Sequence, residues 1–496
     1  MRNCISVFAL LVACAIGCAP VRAELLPPKA DGFESAILKQ KRTIDVYLPK
    51  ETAKDASQKY ETIYVLDGDW NAKIVTETVD FLQAVGFMPP VIVVSVPNFF
   101  DDKGVNSRDH DLTPTAQPNE KNSGGAAQFL SFLKTELIPY VNKTYPSNGI
   151  NLGHGHSYGG LFLNYAIAND PTVFDGYLIL DPAMWWQDKI VVKQLDEKLS
   201  SMPAKGKAVY IAGRSGSAFK GMGVDSLQPV YANKAPAGLH WQLIAYPNET
   251  HDSLKFKGTY DALRFMFRGY GGDSVNVIPD KGIVIPGLPL TFDANTDRFD
   301  IHYTTDGTEP TATSPKMDHR LTPADPTKVR FKSISSRGEF DREIPIALKR
   351  GTMLAPTRAT KPDEKVEVRY SYFEPSAYPT FHGKPFDSGT AESPDLKKIR
   401  REKFAAMIER DHPVPADGYY AFVLRSSGPA RISIAGKTII DAPHSTDHKY
   451  QGFVVPMKAG TYTVRYTFLH DAKDFDIDVH LFQFKDDAIG WEHEIK

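Results

Sequence analysis

Between Arg42 and Tyr270, short runs of β-branched and aliphatic residues alternate with segments of helical periodicity, and this alternation constrains the fold more than any other feature. Residues 44–48, 63–66, 91–96, 150–152, 177–180, 209–212 and 241–246 have strand length and near-continuous apolarity, as strands buried on both faces require. Among the segments between them, Phe129, Leu130, Leu133, Leu137 and Val141 recur at helical spacing. Strands alternating with helices need crossovers, so a mostly parallel sheet flanked by helices is expected over residues 24–272.

After Gly272 the long helical patterns largely stop. Ile301-His302-Tyr303-Thr304 and Val329-Arg330-Phe331 alternate on either side of the turn cluster Asp306-Gly307-Thr308-Glu309-Pro310, which predicts a β-sandwich over 273–350. A Pro- and Thr-rich linker is expected at 351–365, then a second β module at 366–496 with strands near 419–424, 432–434 and 462–466. One helix is expected inside that module: Ser393-Pro394 would start it, and Leu396, Ile399, Phe404, Met407 and Ile408 would form its apolar stripe.

Charge and cysteine usage narrow the chemistry. Fifty-eight basic against 60 acidic side chains leave a formal charge of −2, so nothing draws the whole chain to nucleic acid. Cys4, Cys14 and Cys18 all lie in the first 18 residues, so no disulfide and no cysteine metal site is expected downstream. That first stretch, Arg2 followed by an apolar run from Ile5 to Ile16, reads as an export signal over 1–23, with Val21-Arg22-Ala23 as the cleavage site. Leu11-Val12-Ala13-Cys14 also fits a lipoprotein signal, which would anchor the chain through Cys14. The exported protein would be periplasmic or secreted, and no later segment is apolar enough to span a bilayer.

The chemical signal is Gly155-His156-Ser157-Tyr158-Gly159. A G-x-S-x-G string arises by chance about 0.2 times in a chain this long, so its setting decides its meaning. Residues 150–152 supply a strand before it, and Leu161, Phe162, Tyr165 and Ala166 begin a helix after it. A strand-to-helix turn of this kind holds a serine in strained geometry above the sheet, at a helix N-terminus that favours developing negative charge. A serine needs a base, and His251 lies on the loop after the last predicted strand, where such a fold carries it. Asp225 is the first choice for an acid behind His251, with Asp181 at the end of strand 177–180 as the alternative and a bare Ser–His dyad as the remaining option. Trp185 and Trp186 are expected to wall the substrate pocket or to pack in the core. Arg108 is expected to meet an oxygen-rich substrate or to pair with Asp109 or Asp111.

Residues 64–68, Arg108 with Asp111-Leu112-Thr113-Pro114, residues 132–140, Gly155 to Gly160, Pro182-Ala183-Met184-Trp185-Trp186 and Glu249-Thr250-His251 together resemble the esterase D and enterochelin esterase-like family of α/β-hydrolases. The resemblance covers about residues 40–270. It implies Ser157 as nucleophile, His251 as base, and an oxyanion hole from the backbone amides of Tyr158 and of Asp69 or its neighbour. It also implies carboxylic ester hydrolysis without a cofactor or metal.

Residues 301–310 with Ser335-Ser336-Arg337-Gly338 resemble the immunoglobulin-like domain that ends chitobiases and hexosaminidases, and the last module is similar to a PA14 domain. Ser426-Ser427 stands where calcium-dependent sugar binders of that class carry paired aspartates, and two neutral hydroxyls are poor ligands for a hard dication. These modules point to acyl or feruloyl esters on carbohydrate as substrate and to a carbohydrate surface as partner. A siderophore ester is the second choice, and an inactive carbohydrate-binding protein the reading from another class.

Overall fold

The protein is described by a computed structural model covering residues 24–484, apart from 54, 56, 119, 121, 272–274, 276, 295, 297, 361–367, 392–398, 400, 447–448 and 471–474. The expected export segment, with all three cysteines, lies outside the described residues. The chain forms two compact units, one running to Gly271 and including Ser335–Phe340, the other comprising Gly272–Ile334 and Asp341–Lys496.

The first unit is built on eight strands: β1 Lys29–Ser35, β2 Gln40–Tyr47, β3 Tyr60–Leu66, β4 Val91–Val96, β5 Ser147–His156, β6 Gly176–Leu180, β7 Ala208–Arg214 and β8 His240–Tyr246. Their order across the sheet is β1-β2-β4-β3-β5-β6-β7-β8. β1 and β2 are antiparallel to their neighbours, and every pairing from β4 to β8 is parallel. The seven apolar runs mark the six parallel strands and the antiparallel β2. β1 escapes a pattern-based reading because Lys29–Ser35 is an edge strand with only one fully buried residue.

Successive side chains of a strand enter opposite layers, so each strand feeds two cores. On one face Ile63, Val65, Val91, Val93, Leu178 and Leu180 pack with Val75, Val79 and Leu82 of helix Gly68–Ala84 and with Leu263 and Met266 of helix Leu254–Met266. On the other, Tyr64, Leu66, Ile92, Val94 and Ile179 pack with Leu161, Phe162 and Ala166 of helix Tyr158–Asn169 and with Phe129, Leu133, Leu137 and Val141. This last stripe runs through helix Ala126–Phe132, a π turn at Leu133–Leu137 and helix Ile138–Thr144. The wide turn accommodates Pro139, which lacks the N–H for an i−4 bond.

The chain crosses from β3 to β4 on one side and returns to β5 on the other. The carboxyl ends of β3 and β5 therefore flank a topological switch point, where parallel α/β sheets form their binding crevices.

The second unit is β throughout its described elements, apart from short 3₁₀ turns. Two three-stranded sheets enclose Val277, Phe292, Phe299, Ile301 and Phe331. A five-stranded and a six-stranded sheet hold a second core around Phe404, Phe422, Leu424, Ile432, Val455, Tyr462 and Val464. The segments expected as separate modules share hydrogen bonding: Lys281–Val284 lies between Ala347–Arg350 and Gln451–Met457 in the five-stranded sheet. Gly282 permits this approach, because a Cβ there would come within 2.5 Å of the Val454 carbonyl oxygen. Part of the expected linker is also paired, with Leu354 bridged to Met457 and Arg358 to Thr461.

The helix expected after Ser393 is not formed by its C-terminal half. Phe404–Val414 is a strand paired along its whole length with Gly460–His470, from Phe404 opposite His470 to Val414 opposite Gly460. The apolar run Phe404-Ala405-Ala406-Met407-Ile408 fits a buried strand as well as a helix, and long-range pairing decided between them. Ser393, Pro394 and Leu396 lie outside the described residues.

Candidate active site

Ser157 stands between the end of β5 and the start of helix Tyr158–Asn169 with φ 59° and ψ −114°, a conformation that costs a non-glycine residue energy and persists only where its surroundings hold it. They do so from two sides: the Ser157 amide donates to the Leu180 carbonyl at 2.9 Å, and the Ala183 amide donates to the Ser157 carbonyl at 3.2 Å. The two motif glycines are not equivalent. A Cβ on Gly155 would lie 2.4 Å from the backbone of Gly159, whereas a Cβ on Gly159 would meet nothing closer than 3.5 Å. The tight bend thus rests on Gly155 alone. Gly155→Ala is expected to destabilise the first unit by about 2–4 kcal/mol, and Gly159→Ala by less than about 1 kcal/mol, measured by chemical denaturation.

His251 lies on the loop between β8 and helix Leu254–Met266, and its Nδ1 meets Asp181 Oδ2 at 2.6 Å. The bond leaves Nε2 as the basic nitrogen, since Nδ1 must carry the proton that Asp181 accepts. A second histidine braces the loop. His156 Nε2 donates to the His251 carbonyl at 2.8 Å, with the two rings 4.2 Å apart. Burial, aided by the neighbouring His251 and Lys255, pushes the His156 pKa down to about 3, so this ring stays neutral as a prop. His154, farther down β5, meets Thr259 Oγ1 at 2.9 Å and burial holds it at about 4.

The expected acid, Asp225, does not reach His251. It lies in the 3₁₀ turn Val224–Ser226, and its Oδ1 is buried without a hydrogen-bond partner. The alternative, Asp181, occupies that place because it directly follows β6, the immediate neighbour of β5. Leu180 already binds the Ser157 amide, so the next residue is delivered to the same end of the sheet as Ser157. Asp181 is fully buried with φ 40°. Burial pushes its carboxyl up, but hydrogen bonds from His251 and Arg214 outweigh this and hold it below the usual carboxylate range.

Tyr158 and Asp69 are the first and second residues of their helices, so neither amide has an intrahelical acceptor. The β3 crossover is shaped by Asp67, which adopts a left-handed conformation (φ 51°) and is almost fully buried. Arg108 grips it through both carboxylate oxygens, at 2.8 and 2.9 Å, and Asn98 Nδ2 adds a third bond at 3.0 Å. Neither expected partner of Arg108 is used: Asp111 pairs with Arg42 at 2.5 Å. The Arg108 guanidinium also lies 4.9 Å from the Tyr158 ring centre and 5.1 Å from that of Trp70, so it joins the two crossovers while covering them.

The tryptophan pair divides its duties. Trp186 is 1% exposed, donates from Nε1 to Thr115 Oγ1 at 3.1 Å and meets the Tyr158 ring edge-on at 5.5 Å. Trp185 is 43% exposed beside the same tyrosine. Trp186→Ala should cost about 3–5 kcal/mol in stability. Trp185→Ala should leave the melting temperature unchanged and raise KM, a contrast read by thermal unfolding and steady-state kinetics.

Two sequence-invisible features complete the site: the Asp67–Arg108 clamp, and Arg214 at the end of β7, which binds Asp181 at 2.5 Å. No group of three or more metal-ligating side chains occurs among the described residues. No described helix is long and apolar enough to cross a membrane.

Residues 35–259 match the family model described as "Putative esterase", and residues 279–341 match the chitobiase/β-hexosaminidase C-terminal domain. Over 173 residues the chain is 30% identical to the siderophore enterobactin esterase of Emericella nidulans, covering 30% of this chain and 56% of that protein. Over 247 residues it is 25% identical to the ferri-bacillibactin esterase BesA of Bacillus subtilis, covering 46% and 85% respectively. Among solved structures, an IroE-like serine hydrolase from Shewanella oneidensis superposes with a TM-score of 0.44 at 29% identity, covering 49% of this chain and 80% of that one. The chain thus spans about half the length of the Emericella relative. Residues 35–259 are thus similar to the esterase family, and residues 279–341 to the chitobiase/β-hexosaminidase C-terminal domain.

Proposed function

We propose that the chain hydrolyses carboxylic esters through a covalent acyl-serine intermediate. His251 Nε2 takes the Ser157 hydroxyl proton as Oγ bonds to the ester carbonyl carbon, and the carbonyl π pair moves onto oxygen, where the Tyr158 and Asp69 amides receive it. Collapse breaks the bond to the alkoxy oxygen, which leaves with the proton from His251. Water then repeats the sequence on the acyl-enzyme, returning acid and free Ser157. The observation that carries this reading is the 2.6 Å bond from His251 to Asp181 beside a serine in elbow geometry.

For the substrate, the relatives named as siderophore esterases favour a siderophore ester over the carbohydrate ester that the C-terminal modules suggested. The aromatic group formed by Tyr158, Trp185 and Trp70, with Arg108 among them, suits an aromatic, oxygen-rich acyl group. The carbohydrate reading keeps one support, the match at 279–341. Export through residues 1–23, by either type of signal, and a PA14-like fold for the last β segment belong to the same proposal.

A panel of p-nitrophenyl acetate, feruloyl esters and catecholate esters, ranked by kcat/KM, tests it. The catecholate ester should rank first. A higher value for feruloyl esters would restore the carbohydrate assignment, and no turnover of any ester would leave only a binding role.

A further inference from the structure

Asp181 does not serve His251 alone. Arg214 closes β7, and the chain from Gly213 to Phe219 contains no carboxylate. Its Nε donates to Asp181 Oδ2 at 2.5 Å, the same oxygen that His251 Nδ1 meets at 2.6 Å, and its backbone amide reaches Oδ1 at 3.3 Å. The Asp181 side chain has no exposed surface, while Arg214 keeps 22% of its own.

We infer that Arg214 is a positioning residue that holds Asp181 ionised and oriented at rest and sets the pH at which His251 becomes available as a base. This rests on the mechanism proposed above. A buried carboxylate facing only a neutral imidazole would carry an uncompensated charge, and desolvation would drive it to take up a proton. With Arg214 in place the resting pair is neutral, and the reaction adds one imidazolium and one oxyanion together. The same guanidinium opposes a positive charge on His251, so it favours the neutral, proton-accepting ring.

Other charged or titratable groups lie on or against the loop that carries His251. His156 stays neutral, Asp252 pairs with Lys255 at 2.8 Å, and Glu249 is bound by the Ser253 hydroxyl. Arg214, unlike these groups, is bound to the carboxylate that holds His251 Nδ1.

Removing the Arg214 charge leaves Asp181 unopposed, so a proton binds the Asp181–His251 pair more tightly, whichever partner carries it. In Arg214→Met the acid limb of the kcat/KM profile should move up by about one pH unit or more. Arg214→Lys keeps the charge but not the fixed Nε–H donor, and should keep the limb within about 0.3 unit of the parent while lowering kcat. The same shifts are read without turnover by ¹⁵N-histidine NMR titration of the full chain carrying Ser157→Ala. If Arg214→Met does not accumulate as folded protein, Arg214→Gln carries the same comparison.

An upward shift in the methionine variant and none in the lysine variant supports the inference. A methionine variant whose His251 titrates with the parent overturns it, even if activity falls. Because the titration needs no substrate, an upward shift in a protein that turns over no ester would sink the esterase reading and leave the role of Arg214 standing.

Discussion

Ser157→Ala is expected to lower p-nitrophenyl acetate hydrolysis by about 10⁴- to 10⁶-fold, to the background of the assay, with the melting temperature essentially unchanged. The size follows from the chemistry: without the hydroxyl there is no covalent intermediate, and what remains is binding and whatever the oxyanion donors give to direct attack by water. Stability should be spared or slightly improved, since Ser157 sits at a positive φ that alanine shares and the bonds holding it are made by its backbone, to Leu180 and from Ala183. A variant that keeps more than about a tenth of parental kcat/KM would show that the ester is cleaved elsewhere, and the assignment would fall.

The second large effect separates two aspartates that the sequence ranks in the opposite order, Asp225 before Asp181. Asp181→Asn should reduce kcat by about 10²- to 10⁴-fold, because an amide facing Nδ1 can stabilise the wrong tautomer and cannot balance the imidazolium. Asp225→Asn should keep kcat within about threefold of the parent, since the chain gives Asp225 no bond to His251, and any effect should be on stability through its buried Oδ1. Steady-state kinetics of the two variants at one pH, with thermal unfolding as a control for folding, reads the difference. The reverse ranking would return the acid to the loop after β7.

The outcome for the acid shows how local signals and tertiary geometry divide the work. The places of Ser157 and His251 in the fold were legible because each is announced by its neighbours: the first by two glycines between a strand and a helix pattern, the second by the apolar run 241–246 just before its loop. A carboxylate at the end of a strand has no such announcement. Whether Asp181 or Asp225 serves depends on which strand lies next to β5, and that is a matter of sheet order. Arg108 offers the same lesson, since the nearby Asp109 and Asp111 are passed over for Asp67, 41 positions away.

The second unit shows the limit from the other side. The apolar residues from Phe404 to Ile408 fit either period, and eleven paired positions with Gly460–His470 settle them as strand.

What could be read along the chain is what depends on near neighbours: the alternation that makes an α/β layer, the change to β structure after Gly272, and the bend that presents Ser157. What needed the folded molecule is what depends on groups far apart in sequence: Asp181 behind His251, Arg214 behind Asp181, and one buried tryptophan beside an exposed one. The reason is range. Backbone sterics and side-chain periodicity act over a few residues and are written locally, whereas a buried ion pair is made by strand adjacency, which no single segment encodes.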